Sequence, residues 1–228
     1  WLEKSLTNLN YSLSGNLLIL AGESCELIAK LCDKFSADAV FWNRCYEPDR
    51  IAKDKKIKHL LSNNNINAVS HNSSLLWEPW TIKNKTGNFY KVFTPFYKRG
   101  CLESVSPRLP SEKPISLNFD RLPSVMPEYK FIFINKKGHW SQKFNKHWSP
   151  GEKAAKKKFQ IFLNQASSSY DEGRNYPSKD TVSRLSPHLH WGEISPFYVW
   201  HKSKESMTGN SKETFLSELA WREFSYYL

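Results

Sequence analysis

Leu2, Leu6, Leu9 and Leu13 recur at three- and four-residue intervals, the period of one helix face, and Gly15 follows where a C-cap would fall. Residues 16–22 (NLLILAG) form a continuous apolar run of strand length. The helical period returns over 23–35, with Cys25, Ile28 and Cys32 on one face. Residues 39–42 and 65–70 read as short strands on either side of a lysine-rich helix over 47–61. Strands alternating with helices predict an α/β domain, a parallel sheet with helices on its faces. Ligands of such sheets sit beyond the carboxyl ends of the strands, here 22–26 and 43–50. Neither loop carries a G-x-G-x-x-G run that would point to a dinucleotide.

The pattern changes over 104–150. Pro107, Pro110, Pro114, Pro123 and Pro127 interrupt any long helix, and Phe131, Phe133, Trp140, Phe144 and Trp148 stand alone among charged residues. This composition predicts a long connector, too aromatic for a solvated tether and therefore packed on both of its neighbours. A helix is expected over 151–163, with Ser149 as N-cap, Pro150 in the first turn and Ala154, Ala155, Phe159, Phe162 and Leu163 as apolar positions. A polar loop over 166–180, carrying Tyr170, Arg174 and Tyr176, precedes helical segments starting at Pro187, Ser195 and Lys212. The expected organisation is an α/β domain over 1–103, a connector over 104–150 and an all-helical region over 151–228.

Composition adds a sign to this picture. Lys and Arg total 33 against 22 acidic residues, a formal charge of +11, which suits a polyanionic partner and equally suits a solvated basic surface. The four cysteines show no C-x-x-C pair and no histidine at zinc-finger spacing, so reduced thiols are expected. With no apolar run long enough for a bilayer and no signal peptide, the expectation is a cytoplasmic monomer with no membrane partner.

The densest chemistry lies in 181–196, TVSRLSPHLHWGEISP. Thr181, Ser183 and Ser186 place three hydroxyls around the guanidinium of Arg184, and Pro187 suits a first helical turn. Hydroxyls and unpaired N–H groups converging at a helix start can hold a phosphate. The same residues also read as an ordinary helix capped by Ser186. His188 and His190 diverge on a helix and no third ligand is apparent, so no metal is expected. No G-x-S-x-G elbow makes either serine a nucleophile.

The run SRLSPHLHWGEISP, preceded by Tyr170 and followed by FLSELAWREF (215–224), resembles the flavin-binding region of the DNA photolyase and cryptochrome family. The resemblance extends through WSPGEKAAKKKFQIFL (148–163), YKVFTPFYK (90–98) and FWNRCYEPDR (41–50), in the family's order. It implies a partial Rossmann-like N-terminal domain joined by the connector to the beginning of an all-α FAD-binding domain, with both ends of a longer protein lying outside the chain. It further implies that the FAD diphosphate lies against Ser183, Arg184, Leu185 and Ser186, with Tyr170 covering the cofactor and Arg222 facing it. Val182 stands where relatives often have Thr, and Thr181 beside it is a candidate replacement. The alternative for Arg222 is a surface pair with Glu218 four residues earlier. Glu218 and Trp221 match positions that meet the substrate; at i and i+3 they share a helix face, offering a carboxylate and a stacking indole to an unstacked base. Asn43, Arg44 and Glu47 fall near where a folate or deazaflavin antenna can bind, although they equally serve as a strand-to-helix turn. No residue is assigned as catalytic, since the chemistry belongs to the cofactor. The implied activity is light-driven repair of cyclobutane pyrimidine dimers in ultraviolet-damaged DNA. The alternatives are a cryptochrome-type photoreceptor and a light-independent nucleic-acid-binding module.

Overall fold

The computed structural model describes residues 1–119 and 141–228, and divides them between two compact units. One comprises Trp1–Asn72 with Lys113–Gly151, the other Ser73–Glu112 with Glu152–Leu228. Of the expected connector, Pro123, Pro127, Phe131, Phe133 and Trp140 lie outside the described residues.

In the first unit, α1 (Leu2–Ser12) is followed by α2 (Ser24–Phe35), β1 (Ala39–Asn43), α3 (Pro48–Asn63) and β2 (Asn67–His71). The strands pair in parallel from Ala39 opposite Asn67 to Asn43 opposite His71, with α3 as the crossover. The side chain of Glu23 accepts a hydrogen bond from the Glu26 amide at 3.1 Å and caps α2, which stops at Ser36 in the left-handed conformation. Cys25, Ile28 and Cys32 of α2 pack with Ile57 and Leu61 of α3 and with Val40 and Ala68 of the strands.

The expected strand over 16–22 does not form. Its apolar run has strand length, but a strand exists only through ladder partners, and among the described residues the sheet consists of β1 and β2, neither of which pairs with this run. The end of the expected connector runs along α1: Lys4 Nζ donates to Asn145 Oδ1 at 2.7 Å and Asn8 Nδ2 to the Pro150 carbonyl at 3.0 Å.

The second unit is helical: α4 (Phe93–Pro95) runs into a π-helical stretch over Phe96–Cys101, and α6 (Glu152–Gln165), α7 (Tyr170–Gly173), α8 (Ser186–His190), α9 (Pro196–Ser206) and α10 (Gly209–Tyr227) follow, the short α5 (Ser141–Phe144) belonging to the first unit. The core gathers Phe159 and Phe162 of α6, Phe197 and Trp200 of α9, and Phe215, Leu219 and Phe224 of α10.

Residues 73–103, expected at the end of the α/β domain, pack in the same compact unit as the helices. The reason is a set of bonds across the sequence. Tyr227 Oη donates to the Ile82 carbonyl at 2.8 Å and accepts from the Tyr90 amide at 2.9 Å, and Glu223 accepts from the amides of Leu76 and Trp77. The helical elements also differ from expectation in places. Gly151 has φ 109°, outside the helical region, so α6 begins at Glu152 without Ser149 as its cap. The loop over 166–180 contains a 3₁₀ turn over Ser167–Ser169 and then α7.

Candidate functional site

A cavity of about 490 Å³ opens between α10 and the segment carrying Tyr170 and residues 183–190. Along α10, Phe215, Glu218, Leu219, Arg222 and Tyr226 face it, a stripe at helical spacing. Across from them stand Tyr170, Ser183, Leu185, Ser186, Leu189 and His190. Four apolar side chains, Leu185, Leu189, Phe215 and Leu219, therefore share the walls with serine hydroxyls, one guanidinium and one carboxylate.

Tyr170, Glu218 and Arg222 are each fixed by a local cause. Tyr170 is buried edge-on against Phe162 and Phe215, with ring centroids at 5.6 and 5.2 Å. Burial raises the pKa of its phenol, with Arg174 pulling it down and Glu218 pushing it up. The Arg174 guanidinium bonds Glu218 Oε1 at 2.5 Å, and that bond raises the arginine's own pKa. The segment before α8 approaches α7 closely, since a Cβ on Gly173 would lie 2.6 Å from Thr181 Oγ1.

Arg222 is held from behind. Its Nη1 donates to the Ser74 carbonyl at 2.7 Å and to Glu223 Oε1 at 2.8 Å. Its Nε and Nη2 make no hydrogen bond among the described residues. A guanidinium at the wall with donors to spare, opposite two serines and beside apolar surface, can receive a ligand that combines an anionic and a flat apolar part.

The DNA photolyase family model matches residues 1–114, half of the chain. The chain belongs to the DNA photolyase family. It is 37% identical over its whole length to the deoxyribodipyrimidine photo-lyase of Agrobacterium fabrum (strain C58), of which it covers 49%. It is 31% identical, again over its whole length, to cryptochrome-1 of Arabidopsis thaliana, covering 36% of that protein. The crystal structure of a bacterial class III photolyase from Agrobacterium tumefaciens superposes with a TM-score of 0.89 at 36% identity, covering 100% of this chain and 48% of that one. The chain thus spans half or less of the length of these relatives. The small parallel sheet followed by helices is the photolyase arrangement of an N-terminal α/β domain before a helical region.

Within this photolyase-family framework, Tyr170, Ser183, Leu185, Ser186, Glu218 and Arg222 come together in one cavity. Others stand apart. Arg184, at φ 52°, pairs with Asp180 Oδ1 at 3.2 Å and is not part of the wall. Ser186 does not cap α8: the helix starts at Ser186 itself, with Leu185 as N-cap and no side-chain cap bond. Thr181 does not replace the hydroxyl missing at Val182, because its own hydroxyl is buried beside Gly173, without a hydrogen-bond partner, and away from the cavity wall. Arg222 pairs with Glu223 rather than Glu218, which is taken by Arg174. Trp221 is outside the wall and stacks on Phe93.

Asn43 ends β1, exposed, and Glu47 precedes α3 as its N-cap without a side-chain bond. Between them, Arg44 Nη2 donates to the Ser70 carbonyl at 2.6 Å and Nε to Ser70 Oγ at 3.1 Å, bracing the turn against β2. His188 Nδ1 lies 2.5 Å from Glu193 Oε2, both buried, while His190 reaches the cavity. Among the described residues no group of three or more His, Cys, Asp and Glu is placed to hold a metal, and no helix is long and apolar enough to cross a membrane. Leu189 and Tyr226 carry no role in the sequence pattern; Phe215, Leu219 and Glu223 enter it only within the run FLSELAWREF, and His190 only as half of a histidine pair set aside as a metal site. The α10 stripe was legible as a helical period through Arg222, whereas nothing local marked Glu223.

Proposed function

We propose that the intact protein is a photolyase that repairs cyclobutane pyrimidine dimers in ultraviolet-damaged DNA, with FAD in the cavity beside α10. The supporting observation is the cavity that unites Tyr170, Ser183, Ser186, Glu218 and Arg222. These residues fit part of a flavin dinucleotide. The unspent donors of Arg222 and the hydroxyls of Ser183 and Ser186 suit its phosphates, and Leu185, Leu189, Phe215 and Leu219 suit its flat apolar portion and exclude water. Bound reduced flavin would supply the light-driven electron that opens the cyclobutane ring.

The chain's own residues orient and hold. Arg174 holds Glu218 at the wall, where its second oxygen can accept from a pyrimidine N–H. Trp221, 45% exposed, presents indole surface to a base taken out of the stack. The net charge of +11 favours a polyanionic substrate. Asn43, Arg44 and Glu47 remain the proposed vicinity of an antenna chromophore of the folate or deazaflavin type, with Arg44 acting through the turn it braces. A photoreceptor without repair is the second reading, favoured by the likeness to cryptochrome-1 along the whole chain.

Illumination of the intact flavin-loaded protein with dimer-containing oligonucleotides tests the proposal. Light-dependent loss of dimers is expected. Bound flavin without dimer loss would move the protein to the photoreceptor reading, and absence of flavin binding would leave a nucleic-acid-binding module.

A further inference from the structure

We propose that Glu223 is the positioning residue for Arg222, a buried carboxylate that braces the guanidinium and thereby sets how tightly the cavity holds a phosphate-bearing flavin. This rests on the reading of Arg222 as a cofactor contact.

The two carboxylate oxygens divide between two tasks. Oε1 accepts from Arg222 Nη1 at 2.8 Å, whereas Oε2 accepts from the amides of Leu76 at 2.7 Å and Trp77 at 3.3 Å. Nη1 also donates to the Ser74 carbonyl at 2.7 Å, so the guanidinium, the carboxylate and the 74–77 backbone close a ring. Glu223 is 3% exposed, and a buried carboxylate is retained only when its oxygens are satisfied. Here every neighbour that bonds it is a donor.

A free arginine side chain occupies many rotamers and loses that freedom when it grips a ligand. Arg222 has one nitrogen anchored beforehand, so a ligand that takes Nε or Nη2 meets a side chain with less freedom left to lose. The charge balance around Glu223 supports its acting through Arg222. Burial pushes its carboxyl up to about 7, and Arg222 is the leading influence in the other direction, ahead of the two amides. Cys101, on the neighbouring π-helical stretch, is kept protonated by burial and by Glu223 itself, so it brings no competing charge.

A tether for the 74–77 segment alone is the rival role, and it requires only Oε2. Glu223→Gln separates the two: its single oxygen can serve Arg222 or the amides, and its NH₂ must then face a donor. The test is a double-mutant cycle in the intact protein with Glu223→Gln, Arg222→Ala and both, reading FAD dissociation constants by titration of the apoprotein and unfolding midpoints in parallel. Glu223→Gln is expected to weaken FAD binding about tenfold when Arg222 is present and less than about twofold when it is Ala, the size of one charge-assisted hydrogen bond. Equal weakening in both backgrounds overturns the proposal. If Arg222→Ala weakens binding and Glu223→Gln does not, the proposal alone fails; if Arg222→Ala binds FAD normally, the cofactor reading of Arg222 fails and takes the proposal with it. Should Glu223→Gln not fold, Glu223→Asp, which keeps the charge but is too short to span both sides, enters the same cycle. Loss of the fold in both variants, equally with and without Arg222, makes Glu223 a tether and overturns the proposal.

Discussion

The indole of Trp221 lies flat on Phe93, with ring centroids 3.7 Å apart and planes 10° apart. One face of the proposed base-stacking residue is thus supported by α4, and the ring is held at the surface rather than in the core. Trp221→Ala in the intact protein is expected to leave flavin binding unchanged and to cost about 0.5–1.5 kcal/mol of stability for each of its two ring pairs, with Phe93 and with Phe224. Affinity for dimer-containing DNA should fall roughly five- to a hundredfold, the cost of about 1–3 kcal/mol for one stacking contact, with undamaged duplex barely affected. Equal loss for both DNAs in a binding titration would make Trp221 a packing residue.

The basic excess makes a second expectation. If it lines a DNA groove, log K for duplex DNA should fall linearly with log salt, with a slope of about −0.9 per phosphate neutralised. A flat dependence between low and moderate salt would assign the lysines of α3 and α6 to solvent.

Glu223 should leave a mark on stability as a function of pH. Its carboxyl is raised to about 7, above the ordinary carboxylate range, so the fold prefers the neutral form. Its contribution is fully present below the ordinary range and is lost as pH rises through about 7. Acidification from pH 8 to 5 should therefore stabilise the parent relative to Glu223→Gln, as read by urea unfolding of both across that window. Two parallel profiles would show that Glu223 has the same ionisation folded and unfolded.

Gly173→Ala tests the apposition of α7 and the segment before α8. The new Cβ would meet Thr181 Oγ1 at 2.6 Å and Thr181 Cβ at 2.7 Å, and a short branched side chain cannot swing away. A loss of about 1–3 kcal/mol is expected from overpacking. An unchanged unfolding midpoint would mean that the segment yields without cost.

Local pattern sufficed wherever one element carries its own signal. The helical period of 23–35, the strand runs flanking the lysine-rich helix and the apolar positions of α6 were readable because burial on one face imposes a spacing. The stripe on α10 that lines the cavity obeys the same rule, and the motif around Ser183 and Ser186 marked its opposite wall. Three things were decided only in the tertiary structure. The run over 16–22 has the composition of a strand, but ladder partners are supplied by other segments. Residues 73–103 pack in the unit of the helices, where Tyr227 and Glu223 reach backbone groups more than 130 residues away in sequence. The partners of charged residues were equally invisible: spacing offered Glu218 to Arg222, yet Arg174 takes Glu218 and Glu223 takes Arg222. Periodicity reports which face of an element is buried; it carries no information about which distant group meets a given charge, and that is settled by packing.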